Sequence, residues 1–126
     1  MSGIRVVGAL ALVVLIGVSA SAHHAAAGID RGTVVEVEGT VAQFRWANPH
    51  CWLEVEVVNA DGETELWNFE MMPPSFLIRD GWTRSTVEPG DQVTVHANGF
   101  FDGRPGGLYQ GVELPNGETK GRVGDE

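Results

Sequence analysis

The sequence is poor in cysteine, in basic side chains and in long apolar runs. Its single cysteine, Cys51, excludes an intramolecular disulfide bond, so the fold must be stabilised by packing. Eight Lys and Arg residues stand against 17 Asp and Glu residues, for a formal net charge of −9. An acidic surface repels phosphate backbones, whose binding depends on basic side chains, so we expect no nucleic-acid partner.

Residues 1–22 have the pattern of a secretory signal peptide. Arg5 supplies the positive charge, Val6 to Val18 form an apolar core, and Ala20-Ser21-Ala22 is a cleavage signal. This apolar core is too short for a membrane helix, which needs about 20 apolar residues, and no second run follows. We therefore expect a periplasmic or secreted protein without a membrane span after cleavage, in which residues 23–126 form a single β-barrel domain with a polar C-terminal tail.

The rest of the chain alternates apolar and polar residues in short segments, as β-strands do. The apolar phase changes between Val41 and Phe44, which predicts a bulge near Ala42-Gln43. Asp61-Gly62 predicts a hairpin turn, and a short helix is expected over residues 75–80. The expected strands cover residues 35–46, 51–57, 65–70, 92–97 and 108–114. This order predicts an all-β fold, a small OB-like five-stranded β-barrel with one short helix between strands 3 and 4.

The segment from Trp46 to Trp52 has the highest density of chemically distinctive side chains. It combines two indoles, an Asn-Pro pair, His50 and Cys51 directly before a regular strand pattern. Alternation places Cys51 and Leu53 on the apolar face and His50 on the opposite face. Cys51 is interpreted first as a small buried apolar residue, and otherwise as a thiol for intermolecular pairing or a soft metal.

Several motifs together resemble an uncharacterised exported bacterial family, domain of unknown function 6152. The resemblance extends from His23 to about Pro115 and rests on Ala-His-His at the cleavage site, Trp-Ala-Asn-Pro-His-x-Trp, a short helix before Gly-Trp, Pro-Gly-Asp, and Asp-Gly-x-x-Gly-Gly. It implies a small exported protein and no established reaction. Cys51 and Met71-Met72 depart from the family pattern, so any metal role for them would be particular to this chain.

The histidines suggest a metal site. If cleavage exposes His23, its amine and imidazole chelate a metal, and a third nitrogen completes a T-shaped set that suits Cu(II). This arrangement resembles the histidine brace of copper oxygenases and of periplasmic copper carriers. His24, His50 or His96 can supply that nitrogen, and His50 is favoured because its turn lies between two tryptophans. We therefore expect copper at His23 and His50, with His24 as a further candidate ligand and an envelope metal donor or acceptor as partner.

Simpler interpretations remain for each histidine. The two leading histidines can be a polar start, His50 can cap its turn, and His96 lies on a row expected to face solvent. No serine-hydrolase set is recognised, since Ser75 and Ser85 lack a Gly-x-Ser-x-Gly context. A redox enzyme at the copper site is less favoured, because nothing beyond the tryptophans marks a substrate-binding face. The alternative function is a non-metal module that binds a peptide, glycan or envelope partner. Its apolar groove would be formed by Trp46, Trp52, Trp82, Phe100 and Phe101.

Overall fold

The computed structural model describes residues 27–124, and the predicted signal peptide, His23 and His24 lie outside that range. Six strands and one helix are present there. They are β1 (Ile29–Arg45), β2 (Trp52–Val58), β3 (Thr64–Glu70), α1 (Pro74–Arg79), β4 (Gln92–Phe100), β5 (Gly107–Glu113) and β6 (Thr119–Gly121). Over the same residues, no helix has the length and apolar character needed to cross a bilayer.

Five of the strands form a ring. Hydrogen-bonded neighbours follow the order β3-β2-β1-β4-β5-β6, and β3 also pairs with β5 in parallel, at Phe69↔Gly107 and Glu70↔Leu108. The helix lies between β3 and β4 in the chain, which is the arrangement of an OB-type barrel. The predicted all-β, OB-like fold is confirmed.

Strand β1 is long enough to take part in both halves of the barrel. Its first part pairs with β4 and its last part pairs with β2. The register with β2 shifts between Val41 and Gln43, which confirms the bulge predicted from the change of apolar phase. Gly39 permits the close crossing, because a Cβ at that position would lie 2.6 Å from Cγ1 of Val55.

Two strand boundaries differ from the sequence-based expectation. β4 continues through Asn98 and Gly99 to Phe100, a segment rich in glycine that was expected to be a loop. β6 was not predicted, because three residues of a polar tail carry no detectable alternation. It pairs with the end of β5, so part of the tail belongs to the sheet.

The core fills the inside of the ring. Cys51, Leu53 and Val55 are fully buried, so the alternation predicted for β2 is confirmed and Cys51 is a buried free thiol. Burial raises the pKa of that thiol. The other members of the buried core cluster are Val37, Val41, Phe69, Met71, Leu77, Trp82, Val87, Val93, Val95, Ala97, Tyr109 and Val112.

Candidate functional site

The backbone around His50 is fixed by hydrogen bonds to the end of β3. The Cys51 N–H donates to Met72 O at 3.1 Å, and the Met71 N–H donates to Cys51 O at 2.9 Å. These bonds continue the β2–β3 ladder as far as Cys51, which follows the cis peptide bond between Asn48 and Pro49 by two residues. The imidazole of His50 is thereby held beside the Met71 carbonyl.

One ring nitrogen of His50 has a defined role. Nδ1 lies 2.8 Å from Met71 O, and since a carbonyl oxygen only accepts, Nδ1 carries the proton and donates it. The Glu70 carboxylate lies 3.6 Å from the same nitrogen. In the neutral ring Nε2 therefore holds the free electron pair, and 43% of the side chain is exposed. A metal-binding histidine has this arrangement, with its second nitrogen donating to a carbonyl or carboxylate.

A surface depression of about 230 Å³ lies next to Glu70. Trp52 and Asn68 contribute from the outer face of β2 and β3, and Arg104 contributes from the β4–β5 loop. Trp52 and Glu70 are directly paired across the two strands. In OB-type barrels this strand face and this loop form the surface that binds ligands. His50 therefore lies at the border of the surface where the fold places its ligands.

The N-terminal end of the described chain reaches the same depression. The Phe101 N–H donates to Gly28 O at 2.9 Å, and Ile29 pairs with Phe100. A Cβ on Gly28 would lie 3.9 Å from the Arg104 guanidinium and 4.0 Å from the Phe100 ring. Phe100 and Arg104 both line the depression, and they stack with 3.8 Å between the guanidinium carbon and the ring centroid. Gly28 therefore lies beside Phe100 and Arg104, which line the same depression as Glu70, the neighbour of His50.

The structure brings together only part of the groove proposed from the sequence. Trp52 and Phe100 line the depression. Trp46 packs edge-on against Phe44 at the margin of the core. Phe101 lies in the turn after β4 and is 75% exposed. Trp82 does not lie on a surface groove, since its side chain is 1% exposed and packs in the core, and its backbone N–H donates to Leu77 O.

A second group of side chains was not recognised in the sequence. Glu36, His96 and Glu113 each offer one potential ligand atom, and these atoms lie within 4.8 Å of one another. The expectation that His96 faces solvent was wrong, because the residue is 6% exposed. Its neighbour across the sheet is Gly111, and the backbone of Arg122 occupies the position that a side chain on Gly111 would take. The chain after β6 thus covers the face on which His96 lies.

Comparisons with known proteins agree with the resemblance noted from the motifs. The profile of the Family of unknown function (DUF6152) matches residues 10–110. The chain belongs to this family. No match emerges from a comparison with curated proteins.

Among solved structures, the DUF6152 chain is similar to the mitochondrial single-stranded DNA binding protein Rim1 from S. cerevisiae in two crystal forms. For one form the identity is 14%, with 65% of this chain and 92% of Rim1 covered and a TM-score of 0.49. For the other the identity is 12%, with 73% and 98% covered and the same TM-score. This likeness is too weak to carry a conclusion about binding.

Proposed function

We propose that this DUF6152 protein is exported and binds Cu(II) through the amine and imidazole of His23 together with the imidazole of His50. In this proposal it serves copper transport, buffering or delivery to an envelope partner. The observation that carries the proposal is the 2.8 Å hydrogen bond from His50 Nδ1 to Met71 O, which leaves Nε2 free to bind a metal. Imidazole nitrogen is a ligand that suits copper.

The position of Gly28 supports the pairing of His23 with His50. His23 precedes Gly28 by five residues, and an extended chain of that length spans up to roughly 17 Å. Gly28 lies beside Arg104 and Phe100, which line a depression of about 230 Å³ together with Glu70, and Glu70 lies 3.6 Å from the ring of His50. In this proposal the segment before Gly28 carries His23 to His50, with His24 as an additional nitrogen donor.

The charge around His50 favours a cation. The Glu70 carboxylate faces the ring from the side opposite to Nε2, so it stabilises positive charge on a metal bound at Nε2. The chain as a whole carries a formal charge of −9. The donors are nitrogens, which favours Cu(II), the divalent metal of highest affinity in its row.

The test uses the chain that begins at His23, titrated with Cu(II) by calorimetry and examined by electron paramagnetic resonance. We expect about one Cu(II) per chain with nitrogen hyperfine structure, and at least about tenfold weaker binding when one alanine precedes His23. His50→Asn should weaken binding similarly, because asparagine can keep the hydrogen bond to Met71 O but lacks Nε2.

Two outcomes would contradict the proposal. Equal Cu(II) affinity with and without the extra alanine would show that the His23 amine does not bind the metal. Unchanged Cu(II) affinity in His50→Asn together with weaker binding in His96→Asn would show that His96, and not His50, supplies the third nitrogen. Circular dichroism of each variant without metal controls for folding.

A second candidate function is supported by the aromatic lining of the depression. Trp52 and Phe100 each have an arginine near their ring, Arg45 at 5.9 Å and Arg104 at 3.8 Å from the ring centroids. Such a surface suits a peptide or glycan that packs on aromatic faces. This function predicts a ligand that shifts tryptophan fluorescence in the presence of a chelator and whose binding is lost in Trp52→Ala.

A further inference from the structure

We infer that Glu36, His96 and Glu113 form a second cation site, suited to a divalent ion of the zinc class. The site lies on the outer face of the β1–β4–β5 part of the sheet. Each residue offers one ligand atom, and the three atoms lie within 4.8 Å of one another. The site shares no residue with the proposed copper site.

Strand register brings the three side chains together. Glu36 on β1 lies directly across from His96 on β4. On the other side of β4, His96 is paired with Gly111, and Glu113 follows two residues later on the same face of β5. Because each ligand comes from a paired strand, the geometry is set by the backbone of the sheet.

His96 is the observation that distinguishes this cluster from an ordinary acidic surface. Its side chain is 7% exposed, and its Nε2 points at Glu113 Oε2 from 3.4 Å. That distance exceeds the usual N–H···O hydrogen bond of about 2.9–3.0 Å. Among the residues that the structure describes, no shorter hydrogen bond to this ring is present. A buried imidazole is thus directed into the cluster, with Glu113 as its partner at the long end of hydrogen-bond distance.

The two carboxylates need a positive charge between them. Oxygens of Glu36 on β1 and Glu113 on β5 approach within 4.8 Å across β4, and two carboxylates this close repel each other. A divalent cation balances the two negative charges and also accepts the imidazole electron pair. One nitrogen and two oxygens, with water as a fourth ligand, form a donor set that Zn²⁺ takes in proteins.

The adjustment needed to close the site is small. Ligand atoms around a tetrahedral Zn²⁺ lie roughly 3.3 Å apart, given metal–ligand distances of about 2.0–2.2 Å. His96 and Glu113 are already at 3.4 Å. The other side chain, Glu36, is exposed and is free to rotate toward them.

The experiment isolates the cluster from the other histidines. In a full chain carrying H23A, H24A and H50A, His96 is the sole remaining histidine. Titration of this parent with Zn²⁺ should give about one bound ion, and Co²⁺ should give the absorption of a four-coordinate site. Adding Glu113→Gln or Glu36→Gln should weaken Zn²⁺ binding at least about tenfold, because each removes a charged ligand.

Glu38→Gln is the matched control, since Glu38 lies on the same face of β1 but outside the cluster. Its Zn²⁺ affinity should equal that of the parent. Absence of Zn²⁺ binding in the parent, or equal affinity in the Glu36, Glu38 and Glu113 variants, would overturn the inference. A chain with an extra alanine before His23 should keep this Zn²⁺ site whatever happens to Cu(II), so the two proposals can fail separately.

Discussion

The Glu70 carboxylate offers a quantitative test of the site around His50. It lies 3.6 Å from Nδ1, beyond the usual length of a hydrogen bond, so its effect on a metal at Nε2 is mainly electrostatic. A metal about 2 Å beyond Nε2 would be roughly 7 Å from the carboxylate. For a divalent ion at that separation, Coulomb's law with the permittivity of water gives about 1 kcal/mol.

Glu70→Gln keeps the size of the side chain and removes its charge. We expect the Cu(II) dissociation constant to rise by about fivefold to tenfold, since about 1.4 kcal/mol corresponds to a factor of ten. The measurement is calorimetric titration against a competing chelator at low ionic strength. In about 1 M salt, where the Debye length is about 3 Å, most of the difference between Glu70→Gln and the unmodified chain should disappear.

Glu54→Gln is the matched control for this prediction. Glu54 lies on the outer face of β2, four residues after His50 in the chain and up to roughly 13 Å away from it. Its Cu(II) affinity should change by only about twofold to threefold at low ionic strength, clearly less than in Glu70→Gln. An unchanged affinity in Glu70→Gln, or an equal loss in both variants, would refute the placement of the metal at Nε2 of His50.

Three further predictions concern the barrel itself. The Cys51 thiol is buried and its pKa is raised by that burial, so Cys51 should react with a thiol reagent only as fast as the protein unfolds. Rapid labelling of the folded protein would contradict this prediction. Burial also raises the pKa of Tyr109, the only tyrosine, above its unfolded value of about 10. Stability should therefore fall as the pH rises above about 10, with tyrosinate absorbance appearing together with loss of circular dichroism. Gly111→Ala should lower the free energy of unfolding by at least about 2 kcal/mol in chemical denaturation, because the Arg122 backbone fills the space that a Cβ would take. The control Gly32→Ala should change the free energy of unfolding by less than about 0.5 kcal/mol.

Local signals in the sequence were sufficient for most of the barrel. The change of apolar phase between Val41 and Phe44 marked the bulge, and the Asp61-Gly62 turn marked the β2–β3 hairpin. Both features are determined by residues close together in the chain, so they can be predicted without knowing how the strands are arranged. β6 escaped prediction because it exists only through its pairing with β5.

The candidate sites were less accessible from the sequence, because they depend on long-range register. His50 was selected from its turn, but its hydrogen bond to Met71 O joins positions 21 residues apart. His96 has the alternation of an exposed strand residue, and its burial depends on the chain that crosses Gly111. Trp82 was considered for a surface groove because an indole alone does not indicate which side of the helix it contacts.

The short parallel seam between β3 and β5 affects how the barrel opens. Only two residue pairs, Phe69↔Gly107 and Glu70↔Leu108, join these strands. The longer antiparallel ladders hold the rest of the ring, so amide hydrogens along the seam should exchange earliest with deuterium from solvent. A ligand in the adjoining depression would contact both strands, because Glu70 of β3 and Gly107 of β5 line it. Such a ligand should slow the exchange of the amide hydrogens between β3 and β5.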